Sequence, residues 1–192
     1  MPQILLASSS PYRRQLLERL GLPFQCQSPD VDETPRRGET PRELALRLSQ
    51  TKAQALAAAY PGHLIIGSDQ VAECNGSVIN KPGSFELAQQ QLRQQSGNIV
   101  TFHTGLCLHN GQTEEQQLDS VTTSAHFRQL TDAEIERYLL REQPYDCAGS
   151  FKVEQLGISL FEKVESTDPT ALIGLPLIRL CGMLRQSGVQ LI

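Results

Sequence analysis

Between an apolar run at residues 4–7 and an amphipathic stretch carrying Leu16, Leu17 and Leu20 lies Ser8-Ser9-Ser10-Pro11-Tyr12-Arg13-Arg14. A passage from strand to helix gathers free backbone N–H groups and the positive end of a helix, and anions bind there. Arg13 and Arg14 add forked donors whose geometry matches phosphate. A capped helix with its arginines in solvent would have the same local sequence. A second cluster, Asp30-Val31-Asp32-Glu33, places three carboxylates within four loop positions. Such oxygen sets hold Mg²⁺ or Mn²⁺, although solvated acidic loops look alike.

The third stretch is Gly67-Ser68-Asp69-Gln70, directly after the apolar residues 64–66. An aspartate at the carboxyl end of a buried strand is placed to act as a base or a metal ligand. It is equally placed to cap a turn. Lys52 and Lys81 are candidate phosphate contacts, against a background of ordinary surface lysines. No one of these signals decides the matter. Together they supply acids for a cation, bases for phosphates and a strand-end carboxylate. That set suits phosphoryl or nucleotidyl chemistry, where positioning and charge neutralisation carry most of the catalysis.

The elements that must position these groups alternate strand and helix, the pattern of an α/β protein. Strands are expected at 4–7, 24–28, 64–73 and 78–79, with Asn75-Gly76 as a hairpin turn. Residues 98–127 read as a long hairpin turning at Asn110-Gly111, and a last strand is expected near 157–162. Ser10-Pro11 opens the first helix, which Gly21 ends. Thr40-Pro41-Arg42-Glu43 and Thr131-Asp132-Ala133-Glu134 have capping-box form, opening helices to about 59 and 142. A glutamine-rich helix spans about 85–95, and a final helix follows Gly174-Leu175-Pro176. With no repeat and no linker, the 192 residues read as a single α/β unit with a cleft between a helix-covered part and a strand-rich part.

Composition narrows the function. The formal net charge of −4 disfavours binding to a nucleic-acid polymer, which needs a basic surface. No apolar run is long enough for a bilayer, and the first residues lack the basic leader of a signal peptide. Five widely spaced cysteines without a CxxC pair point to free thiols in a reducing compartment, so a cytoplasmic location is expected.

The segment LLASSSPYRRQLLERLG resembles the opening signature of the Maf family of nucleoside-triphosphate pyrophosphatases. The resemblance continues in order through DVDET, Lys52, IIGSDQV, NKP, SGNIVTFHTGL, AGSFKVEQLG and GLPL. It implies an elongated mixed-sheet fold similar to inosine-triphosphate pyrophosphatases, with two lobes around a cleft. It also implies a divalent cation, Mg²⁺ or Mn²⁺, and a nucleotide substrate cut between its α- and β-phosphates. Asp69 matches the family's catalytic aspartate. Ser8, Arg13 and Arg14 match its phosphate loop, while Glu33, Lys52 and Lys81 match charged residues of the same cleft. Glu33 and Asp69 are the implied metal ligands. Family members are often homodimers, but no interface is legible in the sequence.

Within the family the chain is most similar to the branch acting on 7-methyl-GTP. The sister branch, acting on dTTP and UTP, carries a basic residue, a threonine and a glutamine where this chain has Tyr12, Gln70 and Glu154. A methylated, cationic guanine favours an aromatic face over an arginine. The two donors of the guanine edge suit a carboxylate. Tyr12 departs from the tryptophan frequent in that branch, yet still offers a face. Two competing readings are the sister activity and a nucleotide-binding regulator of cell division without catalysis.

Overall fold

The computed structural model describes residues 2–192. The apolar run after the N-terminus folds as β1 (Gln3–Leu6), and the serines that follow lead into α1 (Pro11–Glu18). Ser10 caps that helix, its hydroxyl accepting from the Arg13 N–H at 3.4 Å, with Pro11 in the first turn. Next come β2 (Phe24–Cys26), α2 (Pro41–Ala57), β3 (His63–Cys74), β4 (Ser77–Ile79) and α3 (Phe85–Gln95). They are followed by β5 (Ile99–Asn110), β6 (Gln116–Phe127), α4 (Asp132–Glu142), β7 (Phe161–Ser166) and α5 (Leu177–Gln186). Among the described residues the strands form a seven-stranded mixed sheet, ordered β2-β1-β3-β5-β6-β7 with β4 paired to β3. The α/β expectation holds. The chain divides into two compact units, and β3, β5 and β6 each contribute a segment to both.

The first unit takes the stretch ending at Gln70 together with Thr104–Val121 and Asp168–Ile192. Here β1 runs parallel between β2 and β3, Leu5 standing opposite Gln25 and Ile65. Alternate residues of β1 serve two cores. Ile4 and Leu6 join Leu64 and Ile66 in packing against Leu16, Leu17 and Leu180, from α1 and α5. Leu5 and Ile65 pack with Ala53 of α2 instead. Both faces are covered, which is why β1 reads as a continuous apolar run and not as an alternation. The capping box at Thr40 and Glu43 forms as expected, with bonds of 3.3 and 2.8 Å.

Helix α2 lies unusually close to the sheet because two glycines face it. A Cβ on Gly67 would lie 2.9 Å from the Ala53 nitrogen and still nearer the Ser49 carbonyl. One on Gly105 would strike the Ala45 carbonyl and the Ser49 hydroxyl. Gly67→Ala should therefore force α2 outward, at the roughly 1–3 kcal/mol typical of overpacking. Thermal unfolding should show a midpoint lowered by several degrees. An unchanged midpoint would mean the helix tolerates the extra methyl and is not held at that distance.

The second unit comprises Val71–His103 and Thr122–Thr167. Asn75 and Gly76 turn β3 into β4 with positive φ of 51° and 76°, as a two-residue hairpin requires. Phe102, Phe127, Phe151 and Phe161 form an edge-to-face cluster with centroids 4.8–5.8 Å apart. Helix α4 starts at the Thr131–Glu134 capping box and packs against α3.

Two expectations are corrected. The strand expected at 157–162 is instead a 3-10 turn, Leu156–Leu160, followed by β7. Gly157 bonds back to the Lys152 carbonyl at 3.1 Å and the Ser159 hydroxyl bonds to Leu156 at 2.7 Å, so local bonds take the place of a ladder. Pairing with β6 begins only at Phe161. The turn at Asn110-Gly111 is also longer than two residues. Asn110 N–H bonds to the Glu115 carbonyl, the Asn110 side chain accepts from Gln112 and Thr113, and Glu114 takes the positive φ of 61°.

Candidate active site

Asp69 was expected at the end of a strand. It lies in the middle of β3, but beyond the point where the parallel neighbour stops, since β1 pairs last at Leu6 opposite Ile66. Asp69 thus stands past the carboxyl end of β1, where open α/β sheets place their ligands. Helix α2 then holds it twice. The Ser49 hydroxyl accepts the Asp69 N–H at 2.9 Å, and one turn later Lys52 Nζ donates to Asp69 Oδ1 at 2.6 Å. The close approach at Gly67 and Gly105 makes both bonds possible.

Lys52 also meets Glu33 Oε1 at 2.8 Å. The Lys52 and Asp69 side chains are 10% and 11% exposed and Glu33 59%, so the first pair is desolvated and the second wet. Loop 29–40 reaches this point because Arg47 of α2 grips it, with Glu39 at 2.6 and 2.8 Å and the Thr34 carbonyl at 3.1 Å. Of the three loop carboxylates only Glu33 joins the cluster. Asp32 accepts from the Thr34 N–H at 2.9 Å, which makes it a turn residue, and Asp30 is exposed.

Arg13 is half-buried, and its Nε donates to the Gly174 carbonyl at 2.8 Å. Its Nη1 lies 3.5 Å from the Ser8 hydroxyl, which itself accepts from the Ser10 N–H at 3.1 Å. Burial pushes the Asp69 carboxyl above the usual aspartate range, against the pull of Lys52 and Arg13. Burial lowers Arg13, and the nearby Asp69 and Glu33 oppose that. The result is a desolvated Lys52–Asp69 pair flanked by Arg13 and by the solvent-exposed Glu33, with a more basic aspartate at its centre.

The other sequence candidates are placed differently. Arg14 lies on the outer side of α1 and pairs with Glu18 at 3.1 Å, largely in solvent. Tyr12 is half-buried in the first turn of the same helix. Gln70 turns toward the segment 171–174, bonding Thr104, Ala171 and Leu172. Lys81 and Glu154 belong to the second unit and are exposed, Glu154 in the turn before Leu156–Leu160. The sequence reading gave no role to Ser49, Ser68, Thr104 or the turn ending at Gly174. Ser49 had one signal, its place one helical turn before Lys52. The rest form contacts across 34 to 161 positions that no local pattern announces.

Two hard carboxylates suit Mg²⁺ or Mn²⁺, which commonly bind through one or two carboxylates plus substrate phosphates. Among the described residues no group of three or more acidic, histidine or cysteine side chains converges to form an all-protein cage. Glu33 and Asp69 therefore fit such an ion only with substrate oxygens completing its shell.

Residues 3–187 match the family profile described as Maf-like protein. The chain belongs to the Maf family. Two proteins named 7-methyl-GTP pyrophosphatase are similar to it, one from Pseudomonas syringae pv. tomato and one from Pseudomonas savastanoi pv. phaseolicola. Each is 60% identical over 190 residues, covering 99% of this chain and 99% of its own. The match therefore extends over both units. No helix among the described residues is long and apolar enough to cross a membrane.

Proposed function

We propose that this Maf-family chain is a nucleoside-triphosphate pyrophosphatase that acts on 7-methyl-GTP, yielding 7-methyl-GMP and pyrophosphate. The observation that carries the reading is the buried Lys52–Asp69 pair with Arg13 beside it. Its support is the 60% identity to two 7-methyl-GTP pyrophosphatases.

Asp69 is the general base. Its Oδ1 is engaged by Lys52, leaving Oδ2 to take a proton from a water molecule. The water oxygen bonds to the α-phosphorus, the bond from that phosphorus to the bridging oxygen breaks, and pyrophosphate leaves with the electron pair. Burial raises the basicity of Asp69 and so favours the proton transfer. Lys52 and Arg13 neutralise the departing charge in this reading, a role that the family resemblance implies for Lys81 as well. A divalent ion would be held by Glu33 and substrate oxygens, with Asp69 as a ligand only where Oδ2 is not acting as the base, and would supply further charge neutralisation.

Product analysis under Mg²⁺ tests the bond that is cut. The first products should be the monophosphate and pyrophosphate, with diphosphate substrates much poorer. Release of orthophosphate and a diphosphate would place the attack at the γ-phosphorus and overturn the mechanism.

Specificity is assigned to Tyr12 as the aromatic face for the cationic base and to Glu154 as acceptor for the guanine edge. A cation–π contact contributes about 0.5–2 kcal/mol, so a few-fold to roughly thirtyfold preference for 7-methyl-GTP over GTP is expected. Tyr12→Arg should erase most of it by placing like charge on the ring. Glu154→Gln presents a donor to a donor edge and should weaken both guanine nucleotides while UTP gains relatively. Values of kcat/KM for the three nucleotides decide this. A wild-type preference for UTP or dTTP would favour the sister activity.

A further inference from the structure

Strand alternation sends the neighbours of Asp69 away from it. Asp69 meets α2, whereas Ser68 and Gln70 both reach the 3-10 turn Ala171–Ile173 and the residue after it, Gly174. The Ser68 hydroxyl shares its one proton between the Gly105 carbonyl at 2.7 Å and the Gly174 carbonyl at 3.0 Å. Gln70 Nε2 lies 2.9 Å from the Ala171 carbonyl, 3.1 Å from that of Leu172 and 3.0 Å from the Thr104 hydroxyl. Thr104, fully buried, donates its own proton to the Ala171 carbonyl at 2.9 Å. The carbonyl partners fix which end of the amide faces the turn. Two N–H groups are thus shared among three acceptors, which holds the amide nitrogen against the turn.

The other end of the turn is equally fixed. Asp168 accepts from the Thr170 N–H at 3.1 Å and from N–H groups in the first turn of α5, at 2.7 Å from Ile178 and 3.2 Å from Arg179. The Thr170 hydroxyl bonds to the Leu175 carbonyl at 2.8 Å. What this segment presents to the site is the Gly174 carbonyl, and that carbonyl holds Arg13 Nε at 2.8 Å. With Nε occupied, the plane of the guanidinium is set and its two terminal nitrogens are aimed.

We propose that Gln70 is a positioning residue for Arg13, acting through the Ala171–Gly174 turn. This rests on the reading of Arg13 as a phosphate contact. A threonine at this position has one donor and a shorter reach, so it could not hold both carbonyls while also meeting Thr104. The turn, and with it the aim of Arg13, would differ. A residue that distinguishes branches can in this way act on phosphate placement.

Inorganic pyrophosphate is the probe that separates the alternatives, because it has no base. Its binding to the full chain in Mg²⁺ is measured by calorimetry for wild type, Gln70→Glu and Thr104→Val. Gln70→Glu sets an acceptor against two carbonyls, and Thr104→Val removes the buried link without approaching any substrate. Each should weaken pyrophosphate about tenfold, the scale of a lost hydrogen bond to a charged group. In an Arg13→Met background Gln70→Glu should add little further loss, since its effect runs through the missing guanidinium. Unchanged pyrophosphate affinity in both single variants, with the base preference altered in Gln70→Glu, would overturn the positioning role. Full additivity with Arg13→Met would also overturn it. A wild type that binds no pyrophosphate would instead overturn the phosphate-binding reading itself. Should Gln70→Glu fold poorly, Thr104→Val and its cycle with Arg13→Met carry the test alone.

Discussion

Asp69→Asn should lose about a hundredfold or more in kcat while binding nucleotide nearly as well as wild type. The substitution is isosteric and keeps the backbone N–H that Ser49 holds at 2.9 Å, so the strand has no cause to move. It removes the group that accepts the proton and leaves Arg13 and Lys52 to bind phosphates. KM should therefore change by no more than a few-fold, which marks an interaction made in the transition state. Steady-state kinetics with 7-methyl-GTP and calorimetric binding to the same variant give both numbers. Near-normal turnover would remove Asp69 from the role of base, and a collapse of binding would make it chiefly a structural or metal-holding group.

Lys52→Met carries the second large effect, and it falls on stability as well as on rate. The variant leaves the Asp69 carboxylate buried without the ammonium that faces it at 2.6 Å. Removing one partner of a buried pair typically costs about 3–5 kcal/mol, which for a chain of this size lowers the melting midpoint by roughly 10 °C. The solvent-exposed Glu33 contact contributes little to that sum. The loss depends on pH with a definite sign. Burial already raises the Asp69 pKa and Lys52 opposes the rise, so the variant's Asp69 titrates higher still. Lys52 attracts Asp69 only while the carboxylate is ionised. The stability advantage of wild type is therefore present in full above the variant's higher Asp69 pKa and is lost as the pH falls from there through the wild-type pKa. In the residual activity the acid limb of kcat/KM should move to higher pH. A melting difference that stays constant from neutral to acid pH would mean that the pair contributes through packing alone.

Much of the local structure was legible because it is written in neighbouring residues. The capping boxes at Thr40 and Thr131, Pro11 in a first turn and the Asn75-Gly76 hairpin each depend on groups within four positions, and each forms. The turn Leu156–Leu160 and strand β7 were misread for the opposite reason. β7 pairs only with β6 in the sheet order and leaves five of its six residues exposed, so it carries no alternation to detect. The Asn110-Gly111 signal marked the right place but not the length, because the Gly111 N–H is taken by the carbonyl of His63, 48 positions away.

The candidate site divides along the same line. By itself the sequence determined which chemical groups are available: an aspartate after an apolar run, lysines, a pair of arginines, an acidic loop and a family signature over most of the chain. Only the tertiary structure decided which of them meet. It brought Lys52 to Asp69 across 17 positions and chose Glu33 over Asp30 and Asp32. It turned Arg13 inward to Gly174, 161 positions on, while its neighbour Arg14 faces Glu18 in solvent. Adjacent helix residues point about 100° apart, so two arginines in a row cannot share one environment. Which of them is enclosed depends on where the helix lies against the sheet. That is set by Leu16 and Leu17 entering the core with Leu180 and Leu184, an outcome of packing between distant segments.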